Sequence, residues 1–234
     1  MKAIILAAGE GKRLHPLTND VPKVMLPIAG KPLLEHQILL CKRHGVDEVF
    51  LNLYYLPEII IDYFKDKDLG IKVSWTVLSK LVNAAEALLL FKDKLEGDFP
   101  VLYGDVASKL NLSSVIRFHK SKNALATLVL HVSNHPEDSD LVEVDENNRI
   151  LRFHKKPHVD LDCGKMNLGN AGTVVFSPEV FDFVKTGLDP DDSISHSLLA
   201  PLSAQSDRVF GYVTEDYMED IGTLERYKRV AEEF

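Results

Sequence analysis

Short apolar runs alternate with amphipathic segments along the first part of the chain. The apolar runs have the length of strands buried on both faces of a sheet, and they comprise residues 2–6, 48–53, 71–77 and 99–103. The segments between them have the spacing of helices, and they comprise residues 33–41, 57–64 and 84–95. Pro32 fits the first turn of one such helix and Gly45 fits its C-terminal stop. This alternation predicts βαβ units around a parallel sheet.

From residue 124 onward the pattern becomes richer in strands. The predicted strands there comprise residues 126–132, 141–144, 150–154 and 172–176, and helices return at 178–184 and 224–233. No Ser-, Gly- or Pro-rich linker separates the two parts. We therefore predict one α/β domain over residues 1–234, with halves at 1–123 and 124–234. Its sheet is expected to be Rossmann-like, mixed but mostly parallel, with helices on both faces.

Composition and charge exclude several classes of protein. Of the 234 residues, 45% are hydrophobic and 26% are charged, which is ordinary for a globular protein and excludes disorder or a coiled coil over the whole chain. The 27 Lys and Arg residues against 35 Asp and Glu give a net charge of −8. Because an acidic protein repels phosphate backbones, we expect no binding to nucleic acid. The net negative charge does not exclude a small anionic substrate, because a local cluster of basic residues can bind it.

Cysteine content and the N-terminal segment indicate where the protein resides. Cys41 and Cys163 are too few for a disulfide framework or a cysteine-based zinc site, which favours a reducing compartment. The apolar segment at 3–8 is too short for the core of a signal peptide or for a membrane span. We expect a cytoplasmic protein that does not enter a membrane.

A glycine-containing loop follows the first predicted strand. Glycine at positions 9 and 11 allows backbone N–H groups to approach a phosphate, and the basic residues nearby are Lys12, Arg13, Lys23 and Lys31. The spacing of a Walker A motif is absent, and Leu14 stands where a dinucleotide-binding fingerprint needs its third glycine. From this loop alone, phosphate binding and an ordinary solvated loop remain equal alternatives.

Longer motifs are more specific. Residues 6–18 (LAAGEGKRLHPLT) and 22–35 (PKVMLPIAGKPLLE) closely resemble the signature of the sugar-1-phosphate nucleotidylyltransferases. Tyr103-Gly104-Asp105 resembles the Gly-Asp that follows a central strand in that family, and residues 217–223 (YMEDIGT) resemble its C-terminal motif. The resemblance spans essentially the whole chain and matches the catalytic domain alone, so no C-terminal β-helix is expected.

The resemblance implies a reaction and a set of site residues. The family joins a nucleoside triphosphate to a sugar 1-phosphate and releases pyrophosphate, so that residues 1–123 would bind the nucleotide and 124–234 the sugar. Arg13 and Lys23 would be catalytic, and Asp105 and Asp220 would hold Mg²⁺. The implied nucleotide-binding residues are Leu6, Ala8, Gly9, Glu10, Gly11, Lys12, Arg13, Asn83 and Gly104. The implied sugar-phosphate-binding residues are Asp140, Lys155, Lys156, Asn170 and Gly172.

Several positions that would contact the base or the sugar depart from the family pattern. Asn83-Ala84 replaces a Gly-Thr, Asp140 replaces a glycine, and the acids expected at three further positions are Lys155, Ser195 and Ser197. Three alternatives follow: an active enzyme with a shifted preference, a weak enzyme, or a non-catalytic nucleotide- or sugar-phosphate-binding relative that acts as a regulatory subunit. Because Arg13, Lys23, Asp105 and Asp220 are all retained, we favour the active enzyme.

The substrates and partners are less specified. The N-terminal signature resembles the guanylyltransferase branch, and we favour GTP, although thymidylyl- and uridylyltransferases share much of it. Three consecutive isoleucines at 59–61 cannot all lie on the buried face of one short helix. Those that stay exposed could contact a second copy of the chain, so a homo-oligomer is one alternative. The histidines in the middle of the chain, His119, His131, His135 and His154, are predicted to be polar surface residues rather than metal ligands.

Overall fold

A computed structural model describes residues 1–133, 136, 139–157 and 167–234. The chain divides into two units: the first consists of Met1–Leu81, Val101–Leu112 and Asp216–Phe234, and the second of Val82–Pro100 and Ser113–Glu215. These boundaries differ from the predicted halves at residue 123, because the C-terminal segment joins the N-terminal one in the first unit. The assignment of one domain to residues 1–234 stays a prediction.

The first unit is built on parallel strands. Its elements are β1 (Lys2–Leu6), β2 (Pro27–Ile28), β3 (Lys31–Pro32), α1 (Leu33–Arg43), β4 (Glu48–Leu53), α2 (Pro57–Phe64), β5 (Lys72–Val77), the last three residues of β6 (Phe99–Tyr103), β7 (Val106–Ser108), β13 (Met218–Asp220) and α5 (Leu224–Glu233). Strands β6, β1, β4 and β5 lie side by side in that order, and all three pairings are parallel. The predicted βαβ pattern is therefore confirmed in this unit.

Local sequence explains these elements. Ala3, Ile4 and Ile5 of β1 are fully buried, as expected for a strand between two others. Helix α1 ends at Arg43, and Gly45 just beyond it has a φ of 78°, the left-handed conformation that stops a helix at little cost. Leu26, Ile28, Leu33 and Ile221 belong to one buried apolar cluster, which packs the C-terminal motif against the N-terminal one.

A short antiparallel ribbon was not predicted. Strands β7 and β13 pair with Asp220 opposite Val106, and each has only three residues. Such short strands carry no measurable periodicity in the sequence. The ribbon is important for the site because Asp105 directly precedes β7 and Asp220 ends β13.

The second unit contains a mixed sheet. Its elements are a 3-10 helix (Glu86–Lys94), α3 (Leu112–Ser121, from Ser113 onward), β8 (Ala126–Val132), β9 (Leu141–Val144), β10 (Ile150–His154), β11 (Leu168–Phe176), a second 3-10 helix (Pro178–Asp182), a π-helix (Ser195–Leu199), α4 (Ala200–Gln205) and β12 (Val209–Val213). Strand β8 pairs in parallel with β12, whereas β8–β11, β11–β9 and β9–β10 are antiparallel. The predicted α/β class with a mixed, mostly parallel sheet is confirmed.

Some predicted elements differ in kind or were missed. The predicted helices at 84–95 and 178–184 form as shorter 3-10 helices, whereas α3, α4, the π-helix and β12 were not predicted. The surface assignment of His119 is wrong. The side chain of His119 is buried, and its Nδ1 lies 2.9 Å from the Thr127 hydroxyl, because helix α3 turns this face toward β8. Burial lowers the pKa of His119 below its ordinary value.

Two further expectations concern cysteine and membranes. Cys41 is fully buried in α1 with a free thiol, and burial raises its pKa to about 12, which makes the thiol unreactive. Cys163 and His135 lie outside the described residues. Within the described part of the chain, no helix has the length and apolar character needed to cross a membrane.

Candidate active site

The loop after β1 begins beside the end of β6. Leu6 lies opposite Tyr103 in the parallel pair, and the Gly104 N–H donates to the Leu6 carbonyl at 2.9 Å. A Cβ at Gly104 would lie 2.6 Å from that carbonyl oxygen, so only glycine fits this approach. The structure thus brings together Leu6 and Gly104, two of the predicted nucleotide-binding residues, and it supplies a packing reason for the glycine.

The loop itself is held by two buried polar side chains. The Ala7 N–H donates to Asn52 Oδ1 at 2.9 Å, and the Thr18 hydroxyl donates to the Gly11 carbonyl at 2.9 Å. Gly11 has a φ of 69° and begins a 3-10 helix at Lys12–Leu14. Asn52 and Thr18 were not predicted as site residues, and their burial beside the loop is the signal that identifies them.

The remaining loop residues differ in exposure. Ala8 is buried, Gly9 is exposed, and Glu10 forms an ion pair with Lys12 at 2.8 Å. The Arg13 side chain is also exposed, and one of its terminal nitrogens would lie 3.3 Å from a Cβ at Gly222. The loop therefore brings the Arg13 guanidinium close to the C-terminal motif at Gly222.

Lys23 and Asp105 form the central ion pair of the first unit. Lys23 Nζ lies 2.5 Å from Asp105 Oδ2, although the two residues are far apart in sequence. Lys23 is 8% exposed, which fixes the position of its ammonium group. Burial raises the pKa of the Asp105 carboxyl, but the Lys23 ammonium, a backbone hydrogen bond and Arg13 together outweigh burial and hold this pKa below its ordinary value.

Asp220 is oriented by its own segment. Its Oδ1 accepts from the Gly222 N–H and its Oδ2 accepts from Arg226 Nη1, both at 2.7 Å. Arg226 lies in the first turn of α5, which Thr223 caps by accepting from the Arg226 N–H at 3.3 Å. Arg226 was not predicted as a site residue, although its position three residues after the capping Thr223 places it in that turn.

The two predicted metal ligands lie at the same end of the ribbon. The Ile221 N–H donates to the Asp105 carbonyl at 3.0 Å, which joins the Asp105 and Asp220 segments. Among the described residues, no group of three or more His, Cys, Asp and Glu side chains could hold a metal ion. Mg²⁺ is commonly held by one or two carboxylates together with substrate phosphates, so this donor set fits a metal that arrives with a phosphate ligand.

The predicted sugar-phosphate residues lie in the second unit. Asp140 precedes β9 and Lys155 follows β10, and the antiparallel pairing of these strands brings their ends together. The Lys156 N–H donates to Asp140 Oδ1 at 3.1 Å, and Lys155 Nζ lies 3.0 Å from Asp192 Oδ1. In β11, which neighbours β9, the Gly172 N–H donates to Asn170 Oδ1 at 2.7 Å.

Asn83 has an internal structural role. Its amide group donates to the carbonyls of Asp189 and Asp192 at 2.6 and 2.9 Å. Its Oδ1 accepts from the Ala85 N–H at 2.8 Å and from the Ser197 hydroxyl at 3.0 Å. Because Asn83 is fully buried and its side chain makes four hydrogen bonds, that side chain supports the second unit, and its contact with a nucleotide stays a prediction.

His196 is a further residue that sequence reasoning missed. Its Nε2 lies 2.9 Å from Asp140 Oδ2, and its ring contacts Phe153 edge to face. Ser195 and Ser197, on either side of it, bond to Asn170 and Asn83. The signal available in the sequence was its position between two serines that depart from the family pattern.

Comparisons with known proteins show the family of the chain. A family model described as nucleotidyl transferase matches residues 2–234. The chain is 32% identical over 206 residues to a UTP–glucose-1-phosphate uridylyltransferase of Synechocystis sp., covering 82% of this chain and 53% of that protein. It is 33% identical over 234 residues to mannose-1-phosphate guanylyltransferase 1 of Arabidopsis thaliana, covering 97% of this chain and 63% of that protein.

A solved structure extends the comparison to the fold. HddC from Yersinia pseudotuberculosis is 25% identical, with a TM-score of 0.80 and coverage of 100% of this chain and 99% of that chain. The chain spans between about half and two thirds of the length of the curated relatives that it matches.

Proposed function

The chain belongs to the nucleotidyl transferase family, and we propose that it transfers a nucleotidyl group from a nucleoside triphosphate to a sugar 1-phosphate. The observation that carries this proposal is the convergence of Lys23, Asp105, Arg13 and Asp220 within the first unit. Two carboxylates and two basic groups at one place are what the reaction of two phosphate anions requires.

The proposed chemistry exchanges one phosphoanhydride bond for another. An oxygen of the sugar phosphate attacks the α-phosphorus of the triphosphate in line, and the bond between the α- and β-phosphates breaks. The electron pair of that bond leaves with pyrophosphate. Arg13 and Lys23 would neutralise the charge on the triphosphate and on the leaving group, because both bear permanent positive charge at neutral pH.

Asp105 and Asp220 would hold Mg²⁺ together with phosphate oxygens. When bound, the metal supplies positive charge at oxygens whose negative charge would otherwise repel the attacking phosphate. Lys23 keeps Asp105 ionised, and Arg226 and the Gly222 N–H fix the orientation of Asp220. Both effects keep the carboxylates ready as ligands.

The second unit would bind the sugar 1-phosphate through Asp140, Lys155, Lys156, Asn170 and Gly172. For the nucleotide we propose GTP first, which the guanylyltransferase of Arabidopsis supports and the uridylyltransferase of Synechocystis does not. Cytoplasmic location and a homo-oligomer stay predictions. Ile59 and Ile61, which suggested the oligomer, are partly buried in α2.

Pyrophosphate release tests this proposal. Purified protein with Mg²⁺ is assayed against four nucleoside triphosphates and a panel of sugar 1-phosphates. We expect release with one pair of substrates, loss of at least about 100-fold in Asp105→Asn, and no loss in the matched variant Asp66→Asn, whose side chain is exposed in the same unit. No release with any pair by a folded wild-type protein would contradict the proposal.

A non-catalytic relative is the second candidate. It is favoured by Ser195 and Ser197, which stand at positions where the family has acids. These two serines form hydrogen bonds with Asn170 and Asn83 instead of presenting carboxylates to a sugar. Such a protein would bind a nucleotide or a sugar 1-phosphate, measured by calorimetry, without releasing pyrophosphate. Binding without turnover is therefore the result that would select this candidate.

A further inference from the structure

A π-helix presents three consecutive side chains to three different segments of the second unit. Ser195 accepts from Asn170 Nδ2 at 3.0 Å, and His196 Nε2 lies 2.9 Å from Asp140 Oδ2. Ser197 donates to Asn83 Oδ1 at 3.0 Å. π-Helical turns are rare and are frequently found at functional sites. Here the turn connects the predicted sugar-phosphate residues Asp140 and Asn170.

The pair of Asp140 and His196 is shielded from solvent. Their side chains are 23% and 13% exposed, and the Phe153 ring meets the imidazole edge to face. Asp140 uses its other oxygen to accept from the Lys156 N–H at 3.1 Å. The imidazole is therefore linked through one carboxylate to the backbone of a predicted sugar-phosphate contact.

Departures from the family pattern have hydrogen-bond partners within the second unit. Two of them, Asn83 and Ser197, are bonded to each other, and a third, Asp140, is bonded to His196. An unpaired polar group at either place would cost free energy, because Asn83 is fully buried and Asp140 is mostly buried. His196 therefore satisfies a carboxylate that the family pattern does not have.

We propose that His196, held by Asp140, is a specificity-determining residue for the sugar 1-phosphate. This inference rests on the proposed function, and it assigns the choice of sugar to a residue outside the predicted set. The triphosphate groups Arg13, Lys23 and Asp105 belong to the first unit, so a change at His196 should alter selection of the sugar far more than binding of the triphosphate.

Two variants separate a role in specificity from a role in stability. In His196→Gln the amide can still donate to Asp140, whereas His196→Ala removes the contact. We expect both variants to raise KM for the preferred sugar 1-phosphate about 10-fold or more and to reduce its kcat/KM advantage over the next sugar by a similar factor. KM for the nucleoside triphosphate should stay within about 2-fold, and the glutamine variant should retain the thermal stability of the wild type.

His44→Gln serves as the matched control, because it makes the same substitution at the end of α1 in the first unit, outside both groups of predicted site residues. It should leave the ranking of sugars unchanged. Asp140→Asn, alone and with His196→Gln, tests the coupling. If the pair acts as one unit, the double variant should rank the sugars much as each single variant does.

The outcomes distinguish this inference from the proposed function. If the wild type turns over substrates and both His196 variants keep its ranking of sugars, this inference is wrong and the proposed function stands. An equal loss of kcat with every sugar, together with a lower Tm, would assign His196 a structural role and also overturn it. If the wild type binds sugar 1-phosphates without turnover, the ranking of their Kd values replaces kcat/KM. If it neither turns over nor binds any of the panel, both proposals fail.

Discussion

Alanine at Gly104 tests the close approach between the end of β6 and the end of β1. A Cβ there would lie 2.6 Å from the Leu6 carbonyl oxygen, 3.0 Å from Val24 Cγ1 and 3.4 Å from Ile5 Cγ2. The first distance is shorter than real Cβ contacts allow, and its partner is backbone rather than the flexible end of a side chain. The two strand ends must therefore move apart by several tenths of an ångström.

The cost follows from overpacking a buried position. Forcing an extra methyl group into a well-packed region costs about 1–3 kcal/mol. Lengthening the hydrogen bond from Gly104 to Leu6 adds up to about 1 kcal/mol. The smaller entropy of the unfolded alanine chain offsets about 0.4–1 kcal/mol. We expect Gly104→Ala to lower the free energy of unfolding by about 1–3 kcal/mol.

The same movement should reduce activity. Asp105 follows Gly104 directly and its carboxylate is paired with Lys23, so a shift of the backbone displaces both groups. Misplacement of reacting groups by a fraction of an ångström to 1 Å costs about 10- to 100-fold in rate. Pyrophosphate release by Gly104→Ala should fall by about that factor under conditions in which the variant is folded.

Urea unfolding followed by circular dichroism measures the stability change. Gly97→Ala is the matched control, because a Cβ at Gly97 would meet nothing within 4 Å and its φ is not in the left-handed region. The control should change stability by less than about 0.5 kcal/mol. A Gly104→Ala protein as stable and as active as the control would refute the reasoning.

Three further perturbations test other parts of the structure. Asn83→Ala removes four internal hydrogen bonds, each of which contributes about 1 kcal/mol. We expect the free energy of unfolding, measured in urea, to fall by about 2–4 kcal/mol. A fall of less than about 1 kcal/mol would show that these hydrogen bonds do not stabilise the protein. Burial lowers the pKa of His119 in the folded protein. As the pH falls, the imidazole is therefore protonated first in the unfolded protein, and the free energy of unfolding decreases below about pH 6.5. His119→Gln should therefore flatten the Tm profile between about pH 7 and pH 5, and an unchanged slope would exclude His119 as its cause. Burial raises the pKa of Glu35, but Lys67, Tyr63 and Lys31 together outweigh burial and leave that pKa lowered. Lys67→Met should lower the free energy of unfolding by about 1–2 kcal/mol at pH 7, a value that already allows for the partial exposure of Lys67. This loss should become smaller below about pH 4, because Glu35 is then protonated in the folded and the unfolded protein. A loss of stability that does not depend on pH would argue against the ion pair.

The fold could be predicted where a long apolar run decides the structure. Strands β1, β4 and β6 begin and end at the predicted residues, because each run is buried between neighbours. The ribbon of β7 and β13 and the π-helix at Ser195–Leu199 could not be predicted. Three-residue strands carry no periodicity, and a π-turn depends on contacts with distant segments that local propensity does not encode.

The candidate site shows the same division. The roles of Lys23 and Asp105 are expected from sequence resemblance, but their pairing depends on a contact across 82 positions. Arg226, Asn52 and His196 were missed because each acts through a partner that only the folded chain brings near. Asn83 was assigned to the nucleotide because it occupies the position of a family glycine, whereas its burial shows that its side chain supports the second unit.

Charge pairing would allow an acidic chain to hold the triphosphate site that we propose. Asp105 and Asp220 are each neutralised by a basic partner, Lys23 and Arg226, and the exposed Arg13 lies beside them. This group therefore carries more positive than negative charge, although the whole chain has a net charge of −8. In the proposed site, phosphate oxygens would bind Lys23 and Arg13, Asp105 and Asp220 would hold Mg²⁺, and Arg226 would stay bonded to Asp220.

Removing Arg226 should accordingly weaken the binding of Mn²⁺, used as a probe for Mg²⁺, because Asp220 loses the partner that orients it. This effect should outweigh the loss of a positive charge near the metal. Tighter binding of Mn²⁺ to Arg226→Met than to the wild type, measured by calorimetry with a non-hydrolysable triphosphate, would show that Arg226 competes with the metal instead of preparing its ligand.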